Sequence, residues 1–226
     1  MVTSSGSLDF GLPTATNTTK SIENTTHPLK PNTVAKPTAP LEIEITPAHP
    51  SDAPAIARVG AQSFSDTFGF SVPASDLASF LAETYSPEAI LSDIHDAPAQ
   101  MTFVARSASA SPGTSIAPGT ILGFVQLVRG ITEQGVPGSD PARHAELRRL
   151  YVDGAAQGCG VGSKLMSALE QRAADEGFEY VWLSVWEDNA HAQRIYERRG
   201  YVRVGALDFA TGGCIQTDWV MAKKLV

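Results

Sequence analysis

Cysteine, basic residues and long apolar runs are all scarce in this chain. Two cysteines, Cys159 and Cys214, cannot build a disulfide framework across 226 residues, and they fit a reducing compartment. No apolar stretch approaches the ~20 residues that a membrane-spanning helix needs. Lysine and arginine total 17 against 24 acidic residues, a formal net charge of -7. That balance argues against nucleic acid, whose phosphates want clustered Lys and Arg, and it suits a cationic ligand. The first twenty residues have neither a basic start with an apolar centre nor any arginine, so neither a secretory signal nor a mitochondrial transit segment is expected. No His, Cys, Asp and Glu spacing suggests a metal site. These absences together lead to the expectation of a cytoplasmic protein with no membrane and no nucleic acid among its partners.

What is present falls into two parts. Residues 1–40 are rich in Thr, Ser, Asn and Pro and poor in large apolar groups. Such a segment buries too little surface to offset its ordering entropy, so a disordered tail is expected there. Asn17 and Asn24 fit the glycosylation pattern, but in a Thr-rich tail without a signal this reads as chance. A domain is expected over 41–226. Leu41, Ile43 and Ile45 alternate with polar residues as in a half-buried strand. Ser51 and Asp52 offer an N-cap for a helix beginning at Ala53. Two short helices are expected over 73–85 and 86–96, the second with Pro87 in its first turn. Strands follow at 101–107 and 120–130, with a loop between them, then a loop over 131–144 and a strand over 146–153. Val161, Leu165, Leu169 and Ala173, with Met166, mark one apolar face of a helix that Gly177 can end. YVWLSVW (180–186) reads as a strand buried on both faces. Asn189 can cap a helix over 190–199, closed by Gly200. Strands over 201–205 and 217–225 complete a mixed α/β domain around one sheet.

Between the strand at 146–153 and the helix at 161 lies QGCGVG, with Gly158, Gly160 and Gly162. Glycine costs backbone entropy, so either the turn is tight or a ligand meets the main chain. A helix N-terminus exposes unpaired N–H groups and partial positive charge, which suits phosphate. A P-loop would need Lys directly after the last glycine, but Ser163 precedes Lys164. A dinucleotide loop would need a third glycine where Ser163 stands. Neither spacing fits.

The pattern that fits is Q-x-x-G-x-G, a helix, an apolar strand, then N-x-x-A-x-x-x-Y-E-x-x-G-Y. Gln157, Gly160 and Gly162 match its first half; Asn189, Ala192, Tyr196, Glu197, Gly200 and Tyr201 match its second. This resembles the GNAT superfamily of acetyl-CoA-dependent N-acetyltransferases, over roughly residues 41–226. The resemblance implies an α/β fold with a mixed, mostly antiparallel twisted sheet flanked by helices. It implies acetyl-CoA as co-substrate and no metal. The amides of Gln157, Gly158, Cys159, Gly160, Val161, Gly162 and Ser163 would cradle the pyrophosphate, with Cys159 contributing backbone rather than thiol. Backbone groups of Leu150, Tyr151 and Val152 would hold the pantetheine arm and polarise the thioester carbonyl. Tyr196 would be the general acid at the departing sulfur, and Asn189 would bond the pantetheine. Glu146 would act as base.

Each assignment has a plainer counterpart. Tyr196 lies with Ala192 and Ile195 on what reads as an apolar helical face, so it can be a core tyrosine. Asn189 can be only a cap, and Glu146 only a polar strand end. A nucleophilic Cys159 would lack a nearby histidine in sequence. His144 and His191 read as surface or structural residues. The acceptor is an amine by resemblance. F-x-x-G-x-x-x-Q-T-D-W-x-M, with Phe209, Gly212, Gln216, Thr217, Asp218, Trp219 and Met221, looks like bacterial spermidine/spermine acetyltransferases, and the acidic balance suits a polyamine. The long loops at 107–119 and 131–144 depart from that pattern and are expected beside the acceptor site. A small-molecule amine and a second copy of the chain, in a homodimer, are the expected partners. A protein or peptide N-acetyltransferase, or a non-catalytic acyl-CoA-binding regulatory domain, are the alternatives.

Overall fold

The computed structural model describes residues 41–110, 116–138, 140–211 and 213–225. The expected tail at 1–40 lies outside the described residues. Seven strands form one sheet in the order β1-β2-β3-β4-β5-β7-β6. They are β1 (Ile43–Pro47), β2 (Gln100–Ser107), β3 (Ile121–Arg129), β4 (His144–Val152), β5 (Tyr180–Trp186), β6 (Val202–Thr211) and β7 (Cys214–Lys224). Every neighbouring pair is antiparallel except β4 and β5, which run parallel. The fold is therefore the expected mixed, mostly antiparallel sheet flanked by helices.

Among the described residues five α-helices cover it: α1 (Ala53–Phe68), α2 (Ala74–Thr84), α3 (Pro87–His95), α4 (Val161–Asp175) and α5 (Ala190–Arg198). Val161, Leu165, Met166, Leu169 and Ala173 form the buried stripe of α4, as their spacing predicts. They pack on Val125, Leu127, Leu147, Val181 and Leu183. The opposite face of the sheet carries Val104, Ile121 and Phe124 under Ile56, Val59 and Phe64 of α1, with Tyr85 and Ile90 beside them. A third, smaller cluster lies under the 131–138 segment, where Val136 covers Trp182, Val220 and Ala222. Among the described residues no helix is long and apolar enough to cross a membrane.

Several local expectations are corrected. Asp52 stands at the N-cap of α1, but its side chain makes no cap bond there. It turns back to the His49 N–H at 2.7 Å and pairs with Arg106 of β2. Ile195 does not join Tyr196 in the core; it is 37 % exposed, because α5 presents only a narrow face to the sheet. Strands β6 and β7 run well beyond 201–205 and 217–225, as a ribbon whose outer part alternates exposed and half-buried positions. Covered lightly, that ribbon needs few apolar residues, so its pattern is faint. The 107–119 loop buries Ile116 on the α4 side of the sheet, while the 131–138 segment lies on the other side, with the Gln134 carbonyl close against Gly205 of β6.

Candidate active site

β4 pairs with β5 only through His144, Ala145 and Glu146. Beyond that point the strands part: β3 still holds one edge of β4, and among the described residues no strand pairs with the other. Leu150, Tyr151 and Val152 lie on this free stretch, so backbone groups there are open to an extended ligand that adds along the edge. A bulge precedes it. Gln126 pairs with Arg149 and Leu127 with Leu147, which leaves Arg148 as the extra residue. The bulge shifts the alternation by one, so Leu147 and then Leu150 and Val152 meet the α4-side cluster, whereas Tyr151 packs on the α1 side.

The glycine loop follows. Asp153 caps a short turn at Gly154–Ala156 by accepting from the Ala155 N–H at 3.0 Å. Gly158 and Gly160 have φ of 78° and 81°, in the left-handed region that side chains resist. Gly160 is the N-cap residue of α4, and no side chain caps that helix. The ladder begins only with the Lys164 N–H donating to the Gly160 carbonyl at 3.1 Å. The amides of Val161, Gly162 and Ser163 therefore have no intrahelical partner. A Cβ built on Gly160 meets no protein atom within 4 Å, so that glycine answers a backbone need and leaves space in front of the helix. Crowding against the protein is not its reason. Gln157, Gly158 and Ser163 are exposed, and Cys159 packs partly against the α4-side cluster. The Gln157 and Cys159 N–H groups are already used inside the loop, donating to the Gly154 and Ala156 carbonyls at 3.4 and 3.3 Å. Among the described residues, the open amides are those of Gly158 and of Gly160 to Ser163, at a helix start with room before it, and these fit the pyrophosphate of a coenzyme. Arg199, which sequence reading missed, reaches the Ser163 hydroxyl at 3.1 Å and adds positive charge there.

Asn189 caps α5, its Oδ1 accepting from the Ala192 N–H at 3.1 Å. Gln193 braces the turn before it, donating to the carbonyls of Trp186 at 3.0 Å and Glu187 at 2.8 Å. Tyr196 then lies buried against Tyr201, ring centroids 5.8 Å apart. Among the described residues its hydroxyl makes no hydrogen bond, and burial pushes its pKa up to about 12. The phenol keeps its proton at any ordinary pH.

Glu146 lies at the last paired position of β4, beside Trp182. Burial raises its pKa, against the pull of Arg148, whose guanidinium contacts it at 2.8 Å. Arg149 also bears on Glu146, and through it a group of long-range contacts is reached on the α1 side of β4. The Tyr85 and Tyr151 hydroxyls are 2.9 Å apart. Arg149 lies over the Tyr85 ring at 5.3 Å and bonds Asp93 at 2.7 Å. Gly60 of α1 admits the Tyr85 ring, since a Cβ there would come within 2.5 Å of it. Burial raises the Tyr151 pKa well above the ordinary value, with further pushes from the Tyr85 and Tyr196 phenols. Of the two histidines set aside, His144 is buried with Nδ1 against the Thr132 hydroxyl at 2.8 Å, a structural place, and His191 is exposed.

Known proteins resemble this chain in sequence and in fold. A sequence profile described as the acetyltransferase (GNAT) family matches residues 73–201. A protein of Mycobacterium tuberculosis described as an uncharacterized N-acetyltransferase is 30 % identical over 176 residues, covering 78 % of this chain and 99 % of its own. The spermine/spermidine N(1)-acetyltransferase of Bacillus subtilis is 41 % identical over 80 residues, covering 35 % of this chain and 49 % of its own. Among solved structures, the PaiA N-acetyltransferase of Thermoplasma acidophilum in complex with coenzyme A superposes with a TM-score of 0.62 at 22 % identity, covering 81 % of this chain and 99 % of that one. The profile spans more than half of the chain, and the mycobacterial relative is similar along nearly its whole length. The chain therefore belongs to the acetyltransferase (GNAT) family, as an acetyl-CoA-dependent acyltransferase.

Proposed function

We propose that the chain moves the acetyl group of acetyl-CoA onto a primary amine of a small molecule, by direct attack of the amine, and that the amine belongs to a polyamine. The coenzyme supplies an activated thioester. Everything else falls to the residues of this chain. The amides of Gly158 and of Gly160 to Ser163 hold the pyrophosphate, Gln157 and Cys159 shaping the loop through their bonds to Gly154 and Ala156, and the free edge of β4 at Leu150–Val152 holds the pantetheine arm and polarises the carbonyl. Glu146, with its raised pKa, draws a proton from the incoming ammonium. Tyr196 gives its proton to the departing sulfur and regains one from solvent.

The observation that carries this reading is the parting of β4 from β5 directly after Glu146. It opens the sheet at one place, with Glu146 at its start. The polyamine acceptor is supported by the Bacillus subtilis relative's name and by Gln216, Thr217, Asp218 and Trp219 in β7.

The test is thiol release from acetyl-CoA with a panel of alkylamines, polyamines, amino acids and an N-terminal peptide, with mass measurement of the products. Tyr196→Phe keeps the ring and removes only the proton. Turnover is expected to fall by about 10²–10⁴-fold while coenzyme affinity holds. Wild-type kcat/KM should rise with pH as Glu146 and the amine lose their protons, and should not fall again below the Tyr196 value of about 12. Full turnover by a folded Tyr196→Phe protein would leave Tyr196 as a packing residue.

A further inference from the structure

Beyond the reaction centre, the end of β5 borders a cavity of about 320 Å³. Its walls include Val72 after α1, Trp186, Glu187 and Asp188 at the β5 end, and Ile215 and Gln216 of β7. The Trp186 ring packs with Phe68 and Phe70, at 5.6 and 6.0 Å between centroids, so one wall is aromatic. Glu187 and Asp188 make the wall acidic. Both sides are tied down: Gln193 braces the Trp186–Glu187 turn, and the Asp76 carboxylate of α2 accepts from the Gly213 N–H at 3.1 Å, at the tip of the β6–β7 hairpin.

Asp218 stands directly behind this wall, paired with Trp186 across β5 and β7. It is only 6 % exposed. The Ser184 hydroxyl donates to it at 3.1 Å and the Gln216 amide at 3.4 Å. Both donors are neutral. The other sheltered carboxylates differ: Asp52 has Arg106, Asp93 has Arg149, Glu146 has Arg148, and Glu170 has Arg199 and Lys223. Asp218 has no cation among the described residues. A carboxylate buried without one is costly, and a bound cation would remove that cost. Gln216 both lines the cavity and makes the longer bond to Asp218, so turning one side chain opens the carboxylate to the cavity.

We propose that this cavity, walled by Trp186 and separated from Asp218 by the Gln216 side chain, is a subsite for a second, protonated nitrogen of the acceptor, which makes a diamine or longer polyamine the preferred substrate over a monoamine. The inference rests on the acetyltransferase reading above. The ammonium lies against the Trp186 face, a favourable cation–π arrangement, with Glu187 and Asp188 on the cavity wall and Asp218 within reach once Gln216 turns. The other nitrogen of the same chain is then delivered towards Glu146.

The experiment compares kcat/KM for diaminooctane and octylamine with the full chain and acetyl-CoA, because Glu146 and Asp218 pair with Trp182 and Trp186, four residues or about 13 Å apart along β5. The wild type should prefer the diamine by on the order of tenfold or more, the worth of a hydrogen bond to a charged group. In Asp218→Asn the preference should collapse towards one, through KM for the diamine, while the melting temperature holds or rises because an unmatched buried charge has gone. Should Asp218→Asn not fold, the wall variant Glu187→Gln/Asp188→Asn is read the same way. A preference that survives these substitutions overturns the subsite. Equal use of the two amines by the wild type overturns it too, and leaves the acetyltransferase reading intact. Acetylation of neither amine, with the coenzyme still bound, removes both.

Discussion

The two ends of α4 are built on opposite plans. At its C-terminus the carbonyls of Arg172, Ala173 and Ala174 are gathered in. The Gly177 N–H donates to the Ala174 carbonyl at 2.9 Å and the Phe178 N–H to the Ala173 carbonyl at 3.0 Å, a Schellman closure with glycine in the left-handed conformation. Phe178 and Ala173 meet in the core beside it. Glu176 is held there by Arg129 at 2.6 Å and by Arg172. At the N-terminus no side chain caps the helix, its first turn carries no acidic residue, and Gly160 leaves open space. Natural helices usually place Ser, Thr, Asp or Asn at this point. One end therefore spends its hydrogen bonds within the protein. The other keeps its amides and its positive field for something that arrives.

That comparison is broken most directly by supplying the missing negative charge. Ser163→Asp puts a carboxylate in the first turn of α4, next to Arg199. For the protein alone this is an improvement, worth about 0.3–1 kcal/mol from the helix field. For an anionic coenzyme it is a like charge in the cradle, and affinity should fall on the order of tenfold or more. Calorimetric titration with coenzyme A and a melting curve should move in opposite directions. If the variant bound coenzyme as well as the wild type, the open end of α4 would not be the phosphate site.

Gly162→Ala sharpens the same point with a smaller change. Gly162 has an ordinary helical conformation, and a Cβ there would meet only Val152 Cγ2 at an easy 3.6 Å. Alanine should thus stabilise the free protein by up to about 1 kcal/mol, through helix propensity. If the coenzyme approaches the backbone closely, affinity should still drop, by several-fold at most. Unchanged affinity would mean that the ligand stands off from Gly162.

The same contrast explains what the sequence made legible. The coenzyme side is local. Gln157, Gly160, Gly162, Asn189 and Tyr196 come from one strand–loop–helix–strand–helix run, with spacings set by helix and turn geometry, so the pattern is readable along the chain. The contacts on the α1 side of β4 are assembled from afar. Tyr85 meets Tyr151 across 66 positions and Arg149 meets Asp93 across 56, and no periodicity announces either contact. The bulge at Arg148, which brings Tyr151 to the same face as Glu146, depends on pairing with β3 that one strand cannot reveal. Ile195 misled for a related reason: spacing shows that a residue shares a helical face, but not how wide a strip of that face the sheet covers.

The smallest effect should come from loosening the closed end of α4. Glu176→Gln keeps the shape of the side chain and removes the charge that Arg129 and Arg172 share. Glu176 is 21 % exposed and Arg129 17 %, so solvent screens the pair only in part, and the loss should be about 1–2 kcal/mol. The two arginines hold the Glu176 carboxyl below its usual pKa, chiefly through the hydrogen bond from Arg129. A carboxylate whose folded pKa is depressed stabilises the fold above its unfolded value and loses that contribution as pH falls through the folded one. The difference in melting temperature between the wild type and Glu176→Gln should therefore be full at neutral pH. It should shrink once pH drops below about 4, where the unfolded carboxyl takes up its proton. Coenzyme affinity should not change, because the substitution lies at the far end of a rigid helix from the glycine loop. A fall in affinity equal to that of Ser163→Asp would show that the two ends of α4 act as one unit, and that closing the C-terminus is part of how the N-terminus is presented.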